Sequence, residues 1–230
     1  MLIIVDARLP ELIKDKLSRY GSVLELSSEM VVYDAISGHP DVFMCDMRSR
    51  IVVAPNAPVS IFSAMVTNHT EFIKGSSFLG RQYPETSFYN AVVTQKYLIH
   101  NLNHTDTTIL ELAENKILIH VNQAYTRCNL LFLNKTHFIT SDKGIESALL
   151  KHGLNGLFVN PEKIELAGFP HGFIGGCCGL YHDQLFVNGS IKYLSETKSF
   201  GNFISSSGIE IVELYDGPLI DSGSIFFVNP

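Results

Sequence analysis

The chain has 230 residues, of which 46% are hydrophobic and 17% charged, with a formal net charge of -6. This supports a sizeable core and argues against a broad nucleic-acid footprint. The N-terminus turns polar too soon for a signal peptide, no apolar run could span a bilayer, and the four cysteines form no disulfide framework, so a cytoplasmic protein without nucleic-acid or membrane partners is expected.

From the N-terminus, one pattern returns five times. An apolar run ends in Asp or Asn and helix-like sequence follows: LIIVD to Asp6, IVVAPN to Asn56, YLIHN to Asn101, HFITSD to Asp142 and LFVN to Asn188. The steps are 50, 45, 41 and 46 residues, and the step from Asn188 through Pro230 round to Asp6 is 48. Self-similarity at such a period signals a repeat architecture.

Each repeat reads as strand, turn, strand, helix, strand. After LIIVD come the helix PELIKDKLSRYG and the strand SVLELS. DVFMCD and IVVAPN form a hairpin across RSR, followed by helix VSIFSAMV and strand EFIKGS. SFYNAVV and YLIHN form the next, followed by TDTTILELAEN and KILIHV. CNLLFL and HFITS flank the turn NKT; Asp142 is placed to cap helix KGIESALLKHG, which closes at Gly153, and GLFVN is the third strand. GFIGGCCGLY and QLFVN follow, with helix SIKYLSETKSF and strand IEIVEL. The last hairpin is split between LIDSGSIFFV and LIIVD. Either segment alone would be an exposed apolar edge, and pairing them removes both edges. The expected fold is one α/β domain over residues 1–230, a closed ring of five β-β-α-β units. The loops before each first strand, SEMVVYDAISGHP, SFLGRQYPET, NQAYTR, PEKIELAGFPH and YDGPLIDS, would then gather at one end of the axis, where function usually sits.

Five such units resemble the pentein fold, that of the guanidino-group-modifying enzymes. Arginine deiminases, dimethylarginine dimethylaminohydrolases, agmatine deiminases and amidinotransferases share it, as do the non-catalytic ribosome anti-association initiation factors. The chain also resembles an uncharacterised bacterial group assigned to this fold. The resemblance implies a cysteine nucleophile on the last inner strand, a histidine from the preceding repeat and acids that hold a guanidinium. His171 in FPHGFIGG stands where the histidine is implied, and Asp41 and Asp46 lie on the first inner strand. The final strand, LYDGPLIDSGSIFFV, has Asp221, Ser222 and Ser224 in place of a cysteine, and Asn129 stands where a carboxylate is implied. An axial small-molecule site of altered or lost catalysis is therefore expected. A non-catalytic binding protein like the initiation factors is the alternative.

Within that frame, Cys177 or Cys178 could be a relocated nucleophile with His171 as base, or both could be small buried residues. Ser222 is a weaker choice of nucleophile. Arg127 could pair with Asp221 or bind a ligand carboxylate. Asp46, Arg127, His171 and Asp221 could form one polar pocket at the axis or serve as ionic struts between repeats. A small polar ligand is the expected partner, with no cofactor or metal, and oligomeric state is open.

Overall fold

The computed structural model describes residues 1–27 and 30–228. Ser28 and Glu29, which open the first long loop, and Asn229 and Pro230, which fall within the wrap-around step, lie outside the described residues.

Five three-stranded sheets follow one plan. The central strand pairs antiparallel with one neighbour and parallel with the strand that follows the helix. The first sheet has Leu2–Asp6 at its centre, antiparallel to Phe226–Val228 and parallel to Ser22–Leu26. The second contains Met44–Asp46, Ile51–Val53 and Phe72–Lys74. The third contains Val92–Val93, Tyr97–His100 and Ile117–His120. The fourth contains Leu130–Phe132, His137–Thr140 and Asn155–Phe158, and the fifth Cys178–Tyr181, Gln184–Val187 and Glu210–Glu213. A further two-stranded ladder joins Ile164–Glu165 to Leu219–Ile220.

Central strands read as unbroken apolar runs because both of their faces are covered. Leu2–Asp6 and Tyr97–His100 are buried at every position, whereas the third strands are half exposed. Helices Glu11–Leu17, Val59–Thr67, Thr107–Leu112, Lys143–Leu150 and Thr197–Ser206 cover the sheets. The fourth shows why the sequence folds this way. Asp142 accepts a hydrogen bond from the Ile145 backbone N–H (2.8 Å), a cap that stabilises such a helix by about 1 kcal/mol. Ile145 and Leu149, four residues apart, turn inward, and Gly153 ends the segment at φ +73°.

The apolar core runs between neighbouring sheets. Ile99 and Ile119 pack with Leu130 and Phe138, joining the third sheet to the fourth. Ile139 packs with Leu185 and Val187, joining the fourth to the fifth. Phe186 and Leu214 pack with Ile3 and Val5, joining the fifth to the first. Ile4, Val52 and Leu98 carry the packing through the first three sheets.

Two sequence expectations are corrected. The inner segments were expected to be extended throughout, but three open with one helical turn: Pro40–Phe43, Thr126–Asn129 and Gly175–Cys177. A short apolar run cannot distinguish a buried turn from a strand. Here the Val42 N–H bonds to His39 O (3.2 Å) and the Cys177 N–H to Ile174 O (3.2 Å). In addition, SIKYLSETKSF is not one helix: a short turn at Ile191–Tyr193 precedes a helix that runs from Thr197 to Ser206.

Removing residues 1–6 would strip the first sheet of its central strand and leave both partners unpaired. Loss of the cooperative thermal transition is expected by circular dichroism. A truncated chain that still melted cooperatively would show that this strand is dispensable.

Candidate functional site

The long loops and one-turn helices bring His39, Asp41, Asn90, Cys128 and the segment 221–224 together. Asp41 is at the centre. Its Oδ2 accepts from Cys128 Sγ (3.1 Å) and lies 2.8 Å from Ser224 Oγ. Its backbone N–H donates to Gly223 O (3.2 Å), and its backbone C=O accepts from Asn90 Nδ2 (2.9 Å). Asn90 Nδ2 also lies 3.3 Å from Cys128 Sγ, while Asn90 Oδ1 accepts from the Cys128 N–H (3.1 Å). One residue, through its carboxylate and its backbone, thus ties together segments from four of the five sheets.

The second acid, Asp221, accepts from the backbone N–H groups of Phe173 (2.8 Å) and Gly223 (3.1 Å). Gly176 makes room for it, because a Cβ at that position would lie 1.9 Å from Asp221 Oδ1. Burial pushes the Asp221 carboxyl up to about 6; His39 opposes the rise and Asp41 adds to it. Three side-chain atoms around this segment have no hydrogen-bond partner in the protein: His39 Nδ1, Asp41 Oδ1 and Asn188 Oδ1. Their residues are 2%, 0% and 0% exposed. Asn188 holds Ser222 Oγ through its amide (2.8 Å), and Gly223 packs against His39. Unsatisfied buried polar atoms are uncommon, and three around one segment mark a place built to meet polar groups from outside.

Aromatic side chains from four loops stand over this cluster. Tyr33 meets Phe169 at 6.2 Å between ring centroids, and Tyr83 meets Tyr125 at 6.1 Å. The Tyr33 and Tyr125 hydroxyls are 3.4 Å apart, and Thr86 Oγ1 bonds to Tyr125. Burial raises the Tyr33 hydroxyl, and Cys128 and Asp221 lie close enough to add to the rise.

The residues singled out in the sequence divide among separate places. Asp41, Asp221 and Ser222 belong to this cluster. Asn129 is buried beside it, but its amide is engaged: Nδ2 donates to Tyr125 O (3.0 Å) and Oδ1 accepts from Ser141 Oγ (3.0 Å). The expected meeting of Asp46, Arg127, His171 and Asp221 does not occur. Asp46 lies at the hairpin end, 4.0 Å from Arg48 Nη1. Arg127 donates to the carbonyls of Gly175 (3.0 Å) and Cys178 (3.4 Å), and Asp221 is held by backbone N–H groups in its place. His171 Nδ1 faces Gly172 O (2.9 Å), and its ring packs on Phe173. No hydrogen bond joins His171 to a thiol or hydroxyl among the described residues.

Cys177 and Cys178 are not neighbours on one strand, since the strand begins at Cys178. The helical turn ends at Cys177, and both residues are fully buried. Burial pushes the Cys177 thiol well above its ordinary value, and the thiol donates to Phe173 O (3.2 Å). Cys178 is pushed up to about 12. Neither has the electropositive, accessible setting of a reactive thiolate. Sequence reasoning missed Cys128, and its only signal there was its place at the start of an inner segment. Its contact with Asp41 spans 87 residues of chain.

Solved structures with the same architecture are enzymes of the pentein fold. The chain is similar to agmatine deiminase of C. jejuni (TM-score 0.56, 10% identity, covering 93% of this chain and 86% of that one). It is also similar to DDAH from Pseudomonas aeruginosa, a serine-for-cysteine variant complexed with citrulline (0.54, 8%, 92% and 91%). SxtG, an amidinotransferase from Microseira wollei, is a third (0.53, 8%, 92% and 87%). At these identities the likeness concerns the fold. Residues 4–226 match the family described as a family of unknown function, DUF6873, and the chain belongs to it. No curated protein matches.

Two tests follow from the geometry. A buried carboxyl at about 6, against roughly 3.9 in an unfolded chain, binds more protons in the native state between those values. Its contribution to stability is complete below about pH 4 and is lost as pH rises through 6. Asp221→Asn should therefore gain on the parent by about 2 kcal/mol between pH 4.5 and pH 7.5 in urea melts; a difference that does not vary with pH would contradict the assignment. The four buried thiols should react slowly with iodoacetamide in the native protein and rapidly in denaturant, as mass spectrometry would show.

Proposed function

We propose that this protein is a five-unit pentein ring, closed by its terminal strands, whose loop-end site binds an amidine- or guanidine-bearing cation. The ring reading is supported by the shared sheet plan and by packing that leads from the fifth sheet back to the first. One observation carries the functional reading. Asp41 and Asp221 are both buried, and Asp41 is close enough for its charge to add to the rise of the Asp221 carboxyl; no Lys or Arg lies in ion-pair distance of either among the described residues, and Asp41 Oδ1 has no partner.

Two buried carboxylates repel each other, so a cation between them offsets a large desolvation cost. A planar amidinium suits the place, since its N–H donors can engage both acids at once. The aromatic rim of Tyr33, Tyr83, Tyr125 and Phe169 adds cation–π attraction at the entrance. The similar enzymes act on compounds of this kind, as the names agmatine deiminase and amidinotransferase state. Nothing comparable favours the ribosome-binding alternative.

The thiol best placed for chemistry is Cys128. Burial, Asp41 and Asp221 together hold it protonated. A bound cation would neutralise the last two causes and so favour the thiolate only when substrate is present. Thiolate attack on the amidine carbon would break a C–N bond and release the amine with a proton. Water would then add to the thiouronium carbon, the C–S bond would break, and a ureido product would leave a free thiol. His171, Cys177, Cys178 and Ser222 have no role in this scheme.

Calorimetric titration with agmatine and methylated arginine tests the binding. Asp41→Asn should weaken it about tenfold or more, as expected when a charged hydrogen bond is lost from a buried site. Absence of binding to the parent would refute the reading. Release of ammonia or amine by the parent and its loss in Cys128→Ser would assign a hydrolase.

A further inference from the structure

At the opposite end of the axis, the hairpin turns surround a cavity of about 890 Å³. Its volume is within the range of small-molecule sites. The inner strands supply apolar walls, among them Val92, Leu131, Leu180 and Phe227. Arg48, Lys96 and Lys135 stand on its exposed rim, and Arg127 lies deeper, half buried at the start of an inner segment. Asp46 is the one carboxylate in the lining, and it is turned back onto Arg48, accepting from that residue's backbone N–H (2.6 Å). In a chain of net charge -6, this cavity carries four cations against one anion.

Arg127 is the informative residue. A guanidinium has five N–H donors, and two are engaged here, by Gly175 O and Cys178 O. Among the described residues no carboxylate lies within ion-pair distance of it. A half-buried cation without a counter-ion, set between apolar walls, is costly unless an anion joins it. The remaining donors are suited to a planar, two-oxygen acceptor.

We propose that this cavity binds an organic carboxylate with an apolar body. The carboxylate sits on Arg127, the body lies along the inner-strand walls, and the rim cations draw the anion in. A small inorganic dianion fits less well, because one deep cation would leave most of its charge unpaired and the apolar walls unused. This site is separate from the loop-end acids and does not rest on the reading of their function.

Octanoate, octanol, octylammonium and inorganic phosphate serve as probes, read by thermal shift and calorimetry on the full chain. Octanoate should raise Tm at millimolar concentration, and the other three should not, since only a ligand that binds the native state stabilises it. Arg127→Met should weaken octanoate about tenfold or more. Because that variant also loses two backbone contacts, the rim double variant Lys96→Glu, Lys135→Glu gives a second test on exposed positions. It should weaken octanoate and flatten the dependence of binding on salt. Asp41→Asn should leave octanoate binding unchanged, which separates this site from the loop-end one. An equal shift with octanol or phosphate, no shift with octanoate, or unchanged affinity in both the Arg127 and rim variants would overturn the proposal.

Discussion

The buried carboxylate of Asp41 is the interaction on which the centre of the molecule depends. Through backbone and side chain it contacts Gly223, Ser224, Asn90 and Cys128, which come from widely separated stretches of chain. Apolar packing between neighbouring sheets is non-directional and would tolerate small rotations of one sheet against the next. Hydrogen bonds to a fully buried acid do not, because any lost partner leaves a desolvated group exposed to its full cost. The one-turn helix Pro40–Phe43 matters for the same reason. It aims the Asp41 side chain at Cys128 and Ser224, whereas an extended residue would alternate between faces.

The two candidate sites have opposite chemistry. At the loop end stand two acids under an aromatic rim. At the hairpin end stand Arg127 and a ring of cations over apolar walls. In three units the inner segment opens with one helical turn and continues as an apolar strand. Thr126–Asn129 shows both sides of this arrangement. Cys128 turns to Asp41, while Arg127 beside it turns to Gly175 and Cys178. Neighbouring residues on one helical turn thus serve opposite ends.

The sheets were largely legible in the sequence because central strands, covered on both faces, must be continuous apolar runs. The Asp and Asn at their ends marked the repeat, though not through one shared role. Asp142 caps a helix, Asn56 ties down the loop at Leu79, and Asn188 holds Ser222. The inner segments were harder to read, because a buried turn and a short strand have the same composition. Asp41 and Asp221 were singled out as acids on inner strands. The pairing of Asp221 with Arg127 did not follow, because backbone N–H groups, which no sequence pattern advertises, hold the acid. Cys128 was hidden for a different reason: its partner lies far along the chain, and nothing local distinguishes it from a core residue.

The pairing of Leu2 with Val228 also governs the order of assembly. Synthesis delivers the first strand long before its antiparallel partner, so one edge of LIIVD stays unpaired while the intervening units emerge. Contacts this distant in sequence close late and make folding slow. Meanwhile one edge of a mostly apolar strand stays exposed, as surfaces of aggregation-prone intermediates of larger proteins do. The seam of the first sheet is therefore where a nascent chain is most vulnerable, and where a chaperone would find its clearest handle.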